Sequence, residues 1–128
     1  MGTSTNASRT AIGVDIIEIA RIKRAIARWQ DSFLKRIYTQ AELESHHNVS
    51  SLAARFAAKE AVMKALGTGT RGVSWTDIEI LPNGDGASLI RLYGRALRKS
   101  TEIGIARFDI SMSHSKKYAI AFVIGHAK

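Results

Sequence analysis

The segment from Ser50 to Gly69 constrains this chain most. Ala53, Ala54, Ala57, Ala58, Ala61 and Ala65 recur between Leu52 and Leu66, and alanine is the best helix former. Ser50 or Ser51 stands where an N-cap is expected. Gly67 and Gly69 follow the last apolar residue, where a helix ends. At about 100° per residue, Leu52, Phe56 and Met63 share one apolar stripe. Two charges stand on the same side: Glu60 lies between Phe56 and Met63, and Lys59 between Leu52 and Leu66. Such charges have to be paired, hydrogen-bonded or metal-bound, because isolated buried charge is very costly. Lys64, four residues beyond Glu60, is its neighbour on the helix. A surface Glu–Lys pair and a functional pair both fit this pattern.

Around that helix the patterning changes period several times. Ile12, Val14 and Ile16 alternate as in a strand, within an apolar run from Ala11 to Ile19. From about Glu18 the apolar residues Ile19, Ile22, Ile26 and Trp29 step as on an amphipathic helix. Phe33 to Tyr38 reads as a short helical piece. Thr39 and Glu42 have capping-box spacing for another. Asp77–Leu81 and Ala87–Leu92 read as strands joined by a turn around Pro82 to Gly86. Tyr93–Ile103 reads as a helix stopped by Gly104. Phe108–Ser113 and Tyr118–Ile124 read as a final hairpin turning at His114 to Lys117. The order predicts a single α+β domain over residues 11–128 with a small antiparallel sheet. Residues 1–10 are small and polar and read as a disordered leader or a remnant of expression.

Asp15 interrupts the first apolar run, as a helix N-cap or as a metal ligand. Arg21, Arg24 and Arg28 share one helix face, with Lys23, Lys35 and Arg36 close by. The chain carries a net charge of +8 and a pI near 10.2, which favours anionic partners. It has no cysteine, which excludes disulfides and thiolate-held metals and suits a reducing cytoplasm. No apolar run approaches the roughly 20 residues of a membrane span. No Walker, GxSxG or HExxH motif is present. His114, flanked by Ser113 and Ser115, stands at a hairpin tip, exposed or donating to a phosphate.

Gly13-Val14-Asp15-Ile16 with Arg21, Phe33-Leu34-Lys35-Arg36-Ile37-Tyr38-Thr39 with Glu42, Arg55-Phe56-Ala57-Ala58-Lys59-Glu60-Ala61 with Lys64, Ala65, Gly67 and Gly69, Asp77-Ile78-Glu79-Ile80, and Ser113-His114 occur in that order. Together they resemble the holo-acyl-carrier-protein synthase family of phosphopantetheinyl transferases over residues 11 to 125. The resemblance implies that family's fold, with its sheet packed on a long central helix. It implies transfer of 4′-phosphopantetheine from coenzyme A to a serine of an acyl carrier protein, with release of 3′,5′-ADP. It implies Mg²⁺ held by Asp15 and Glu60, and catalytic roles for Asp15, Glu60 and Lys64. Arg55, Lys64, Gly67, Ser113 and His114 would bind coenzyme A, and Arg21, Arg24 and Arg28 the acidic carrier. It also implies a homotrimer with active sites between subunits, acting in the cytoplasm without nucleic acid or membrane. Tyr118, Ile120, Phe122 and Ile124 alternate with Ala119, Ala121 and Val123, so the last strand is apolar on both faces and needs cover on both.

Two stretches depart from the family pattern. His46 and His47 stand where basic residues often lie ahead of the long helix. Gly86-Ala87-Ser88 replaces a frequent Gly-Lys-Pro, a change expected to affect only a turn. A basic nucleic-acid-binding module is the main rival reading. Its weakness is that aromatics are only 7% and are not interleaved with the basic cluster as stacking platforms. A scaffold partner for an acidic protein would use only the Arg21–Arg28 face.

Overall fold

The computed structural model describes residues 10–45 and 48–127. Residues 1–9, most of the expected leader, and the pair His46 and His47 lie outside the described residues. The elements are β1 (Thr10–Glu18), α1 (Ile19–Trp29), α2 (Asp31–Ile37), α3 (Gln40–Ser45), α4 (Val49–Leu66), a 3₁₀ turn (Trp75–Asp77), β2 (Ile78–Pro82), β3 (Ser88–Leu92), α5 (Gly94–Glu102), β4 (Arg107–His114) and β5 (Tyr118–His126). Strands β1, β5 and β4 form an antiparallel sheet in that order, and β2 and β3 form a separate hairpin.

Helix α4 lies on the inner face of the three-stranded sheet and also packs against α1, β2 and α5. The expectation of one apolar stripe is corrected. Residues all round α4 are buried, among them Leu52, Ala53, Phe56, Ala57, Ala58, Ala61, Val62 and Leu66. The alanines explain this, since small side chains let backbones approach from several directions. The sheet answers with small residues of its own: Ala119 and Ala121 of β5 are fully buried. At Gly13 of β1 an added Cβ would sit 1.8 Å from the carbonyl oxygen of Ala61. Only glycine fits there.

The caps differ from expectation. Asn48, not Ser50 or Ser51, opens α4, and its Oδ1 accepts the Ser51 N–H at 2.8 Å. Gly67 closes it in the left-handed conformation at φ 76°. Asp15 does not cap α1: it lies inside β1 opposite Ala121, and Glu18 stands at the N-cap without a side-chain bond. Thr39 and Glu42 do form the expected reciprocal pair, through Thr39 N–H to Glu42 Oε1 and Glu42 N–H to Thr39 Oγ1.

Strand β1 turns its alternating isoleucines and valine outward. Ile12, Val14 and Ile16 lie opposite Ile124, Phe122 and Ile120 of β5, and Ile12, Val14, Ile16, Ile120 and Phe122 are 41–61% exposed. No helix of the chain covers this apolar face among the described residues.

Candidate active site

The close approach at Gly13 brings Asp15 of β1 beside Glu60 and Lys64, one turn apart on α4. Lys64 Nζ donates to Asp15 Oδ1 at 2.8 Å and to the carbonyl of Val14 at 3.1 Å. The surface Glu60–Lys64 pair is therefore not what forms, because the lysine's ion pair reaches across to the strand. Burial pushes the Glu60 carboxyl up to about 7, its hydrogen bond with Asp15 and the charge of Asp15 push the same way, and Arg21 and Lys64 oppose them. Two carboxyls thus face each other with incomplete compensation. A hard divalent cation suits such a pair, completing its shell with water and phosphate oxygens. No cluster of three or more His, Cys, Asp or Glu exists among the described residues, so any cation here would rest on these two carboxylates.

Glu60 also lines a cleft of about 910 Å³ between α1, α2, α4 and the 3₁₀ turn. Arg21, Ser32, Arg36 and Thr70 supply its polar groups, and Ile22, Trp29, Phe33, Phe56 and Trp75 its apolar wall. Phe33 stacks on Phe56 at 6.3 Å, and Phe56 on Trp75 at 4.6 Å. Arg24 and Arg28 are exposed on α1, with the Arg28 guanidinium 4.8 Å from the centre of the Trp29 ring.

Arg55, Ser113 and His114 line a second cleft of about 340 Å³ on the same chain, together with Ser51 and Ser111. Arg55 is buried. Its only direct bond is a long one to the Ser51 carbonyl at 3.4 Å, and its Nε has no partner among the described residues. Burial lowers its pKa, with Glu42 opposing. A buried, under-bonded guanidinium beside serines and a histidine has donors to offer an anion. Gly86, Ala87 and Ser88 also line this cleft, which corrects the expectation that they affect only a turn. The expected residues therefore fall into two groups on one chain: Asp15, Glu60, Lys64 and Arg21 in one place, Arg55, Ser113 and His114 in another. Gly67 lines neither cleft.

The sequence reading missed a buried network behind the first cleft. Lys59 and Glu42, both with fully buried side chains, pair at 2.8 Å. Glu79, buried in β2, accepts from Thr39 Oγ1 at 2.6 Å and from the Tyr93 hydroxyl at 3.0 Å. The signal for Lys59 was its place in an apolar helix, but nothing in the spacing pointed to Glu42 as its partner.

A family model described as the 4′-phosphopantetheinyl transferase superfamily matches residues 11–123. A holo-[acyl-carrier-protein] synthase of Herpetosiphon aurantiacus is 46% identical over 121 residues, covering 88% of this chain and 95% of that relative. The chain belongs to the holo-[acyl-carrier-protein] synthase family of phosphopantetheinyl transferases. The holo-[acyl-carrier-protein] synthase of Helicobacter pylori in complex with coenzyme A superposes with a TM-score of 0.80 at 36% identity, over 89% of this chain and 98% of that one. The synthase of Bacillus anthracis in complex with CoA (3′,5′-ADP) gives 0.76 at 32% identity, over 95% and 100%. Among the described residues of this family member, no helix is long and apolar enough to cross a membrane.

Proposed function

We propose that this enzyme transfers 4′-phosphopantetheine from coenzyme A to a serine of an apo acyl carrier protein in the cytoplasm, releasing 3′,5′-ADP. The observation that carries the reading is the meeting of Asp15, Glu60 and Lys64, with Glu60 lining a cleft. Asp15 and Glu60 would hold Mg²⁺, whose chemistry when bound is to neutralise the pyrophosphate and the charge developing on it. Glu60 accepts the proton of the carrier serine, directly or through a water, as the serine oxygen bonds to the β-phosphorus. The bond from that phosphorus to the bridging oxygen breaks, and 3′,5′-ADP leaves. Lys64, already directed at this place by Asp15, balances the charge on the departing phosphate. Arg55, Ser113 and His114 bind the nucleotide end. The exposed arginines Arg21, Arg24 and Arg28 meet the acidic carrier.

The assembly is a homotrimer. Supporting this, the apolar face of β1 and β5 has no cover from its own chain among the described residues. Asp15 and Glu60 also stand apart from Arg55 and His114, so a ligand bridging two subunits would draw on one group from each. Nothing found here favours the nucleic-acid alternative, which would leave the Asp15–Glu60 pair without a role. Incubation of the protein with apo acyl carrier protein, coenzyme A and Mg²⁺ should add one phosphopantetheine to the carrier by mass spectrometry. An unmodified carrier, where a known transferase modifies it, would defeat the assignment.

A further inference from the structure

The mechanism above leaves the buried ammonium of Lys59 unused, although it is the next residue to Glu60. All three of its donors are taken. They go to Glu42 Oε1 at 2.8 Å, to the carbonyl of Trp75 at 3.1 Å, and to the carbonyl of Ile78. Glu42 in turn accepts the Thr39 N–H at 2.8 Å and the Ile80 N–H at 2.9 Å. One side chain thus joins α4 to α3 and to both ends of the 3₁₀ turn that carries Trp75. Burial lowers the pKa of Lys59, and Glu42 opposes that shift.

A buried ion pair is a poor device for stability, since apolar residues of similar volume often do as well or better. What it does give here is placement. Trp75 is fixed where its ring stacks on Phe56, and both rings face the cleft into which Glu60 points. Coenzyme A beyond its pyrophosphate is an arm of gem-dimethyl, amide and thiol groups. An aromatic wall with Ser32 and Thr70 beside it matches that chemistry, apolar surface for the methyls and hydroxyls for the amides.

We propose that Lys59 is a positioning residue: through Trp75 it sets the wall against which the pantetheine arm lies while the pyrophosphate sits beside the Mg²⁺ that Asp15 and Glu60 would hold. The inference rests on the transferase reading and adds to it a role for a residue that touches no substrate.

Lys59→Met alone would strand the Glu42 carboxylate, so the test uses the double variant Lys59→Met/Glu42→Gln together with Trp75→Ala. Binding of coenzyme A and of 3′,5′-ADP, which lacks the arm, is measured by calorimetry with Mg²⁺, and melting temperature is recorded alongside. Both variants should bind 3′,5′-ADP within about twofold of wild type and coenzyme A about tenfold more weakly, the scale of a lost aromatic contact. A general loss of stability would not change that ratio. The inference is overturned if either folded variant keeps the wild-type ratio. It is also overturned if only the KM for the carrier rises, because the wall would then serve the protein partner. If the double variant does not fold, Lys59→Arg, which keeps the charge but not the three-way reach of the ammonium, takes its place, and an unchanged ratio overturns the inference in the same way. Failure of the wild-type protein to modify a carrier would instead strike the transferase reading, so the two failures are distinguishable.

Discussion

Replacing Gly13 with alanine adds one methyl group and should cost most of the activity. The new Cβ would lie 1.8 Å from the carbonyl oxygen of Ala61 and 2.7 Å from its carbon. Both are backbone atoms of a helix buried all round, so α4 cannot yield. Strand β1 would have to retreat by more than about 1 Å before the first contact reached the shortest separation proteins tolerate. Asp15, two residues on, moves with it. Its 2.8 Å bond to Lys64 then stretches past hydrogen-bonding range, and the Asp15–Glu60 pair opens. A displacement of about 1 Å in a catalytic constellation costs roughly 10²-fold in rate. Overpacking of this kind costs about 1–3 kcal/mol, a fall of roughly 4–12 °C in Tm for a domain of this size. Thermal melts and carrier modification followed by mass give both numbers. A Gly13→Ala protein that melts with the wild type and turns over within twofold of it would refute the claim that this contact sets the site.

The raised Glu60 carboxyl predicts a pH effect on the metal-free protein. Folded Glu60 holds its proton more tightly than the unfolded chain does, so its contribution to stability is lost as pH rises from about 4.5 to about 7. The difference in Tm between wild type and Glu60→Gln should follow that course in chelator, and a flat difference would refute it. Arg24→Glu should raise the KM for the carrier about tenfold and leave that for coenzyme A unchanged, with the wild-type carrier KM rising with salt. Equal losses for both substrates would contradict the assignment of that face. Phe122→Glu should turn a trimer into monomers by light scattering. Mixed Glu60→Ala and His114→Ala subunits should regain activity that neither has alone, and no recovery in verified hybrids would place both residues in one chain's contribution.

The long helix, its αL stop at Gly67 and the reciprocal pair of Thr39 and Glu42 were legible in the sequence because each is local. Residues three or four apart decide them. What escaped depends on contacts distant in sequence. The alternation of Ile12, Val14 and Ile16 marks a strand but does not say which face points inward. Gly13 decides that, through a helix nearly fifty residues away. Lys59 could be seen to need a partner, yet Glu42 and the carbonyls of Trp75 and Ile78 are supplied only by tertiary folding. Asp15 looked like a cap because a helix starts nearby, and the strand pairing with β5 removes that option. The segment Gly86-Ala87-Ser88 looked remote until the hairpin placed it against Arg55.

Strand β1 is an edge strand whose one strand partner among the described residues is β5, with Glu18 opposite Tyr118, about a hundred residues along the chain. The β4–β5 and β2–β3 hairpins close short loops, whereas β1 must close nearly the whole domain. Contacts of that separation form late in folding and are among the first to open. Opening β1 removes Asp15 while Glu60, Lys64 and α4 stay in place. On warming, the enzyme should therefore lose the Asp15–Glu60 pair before it loses its helices. Amide exchange along β1 should outpace that along β5, and inactivation should precede the fall in circular dichroism. Ligands that bridge Asp15 and Glu60 would close this gap by clamping the strand to the helix.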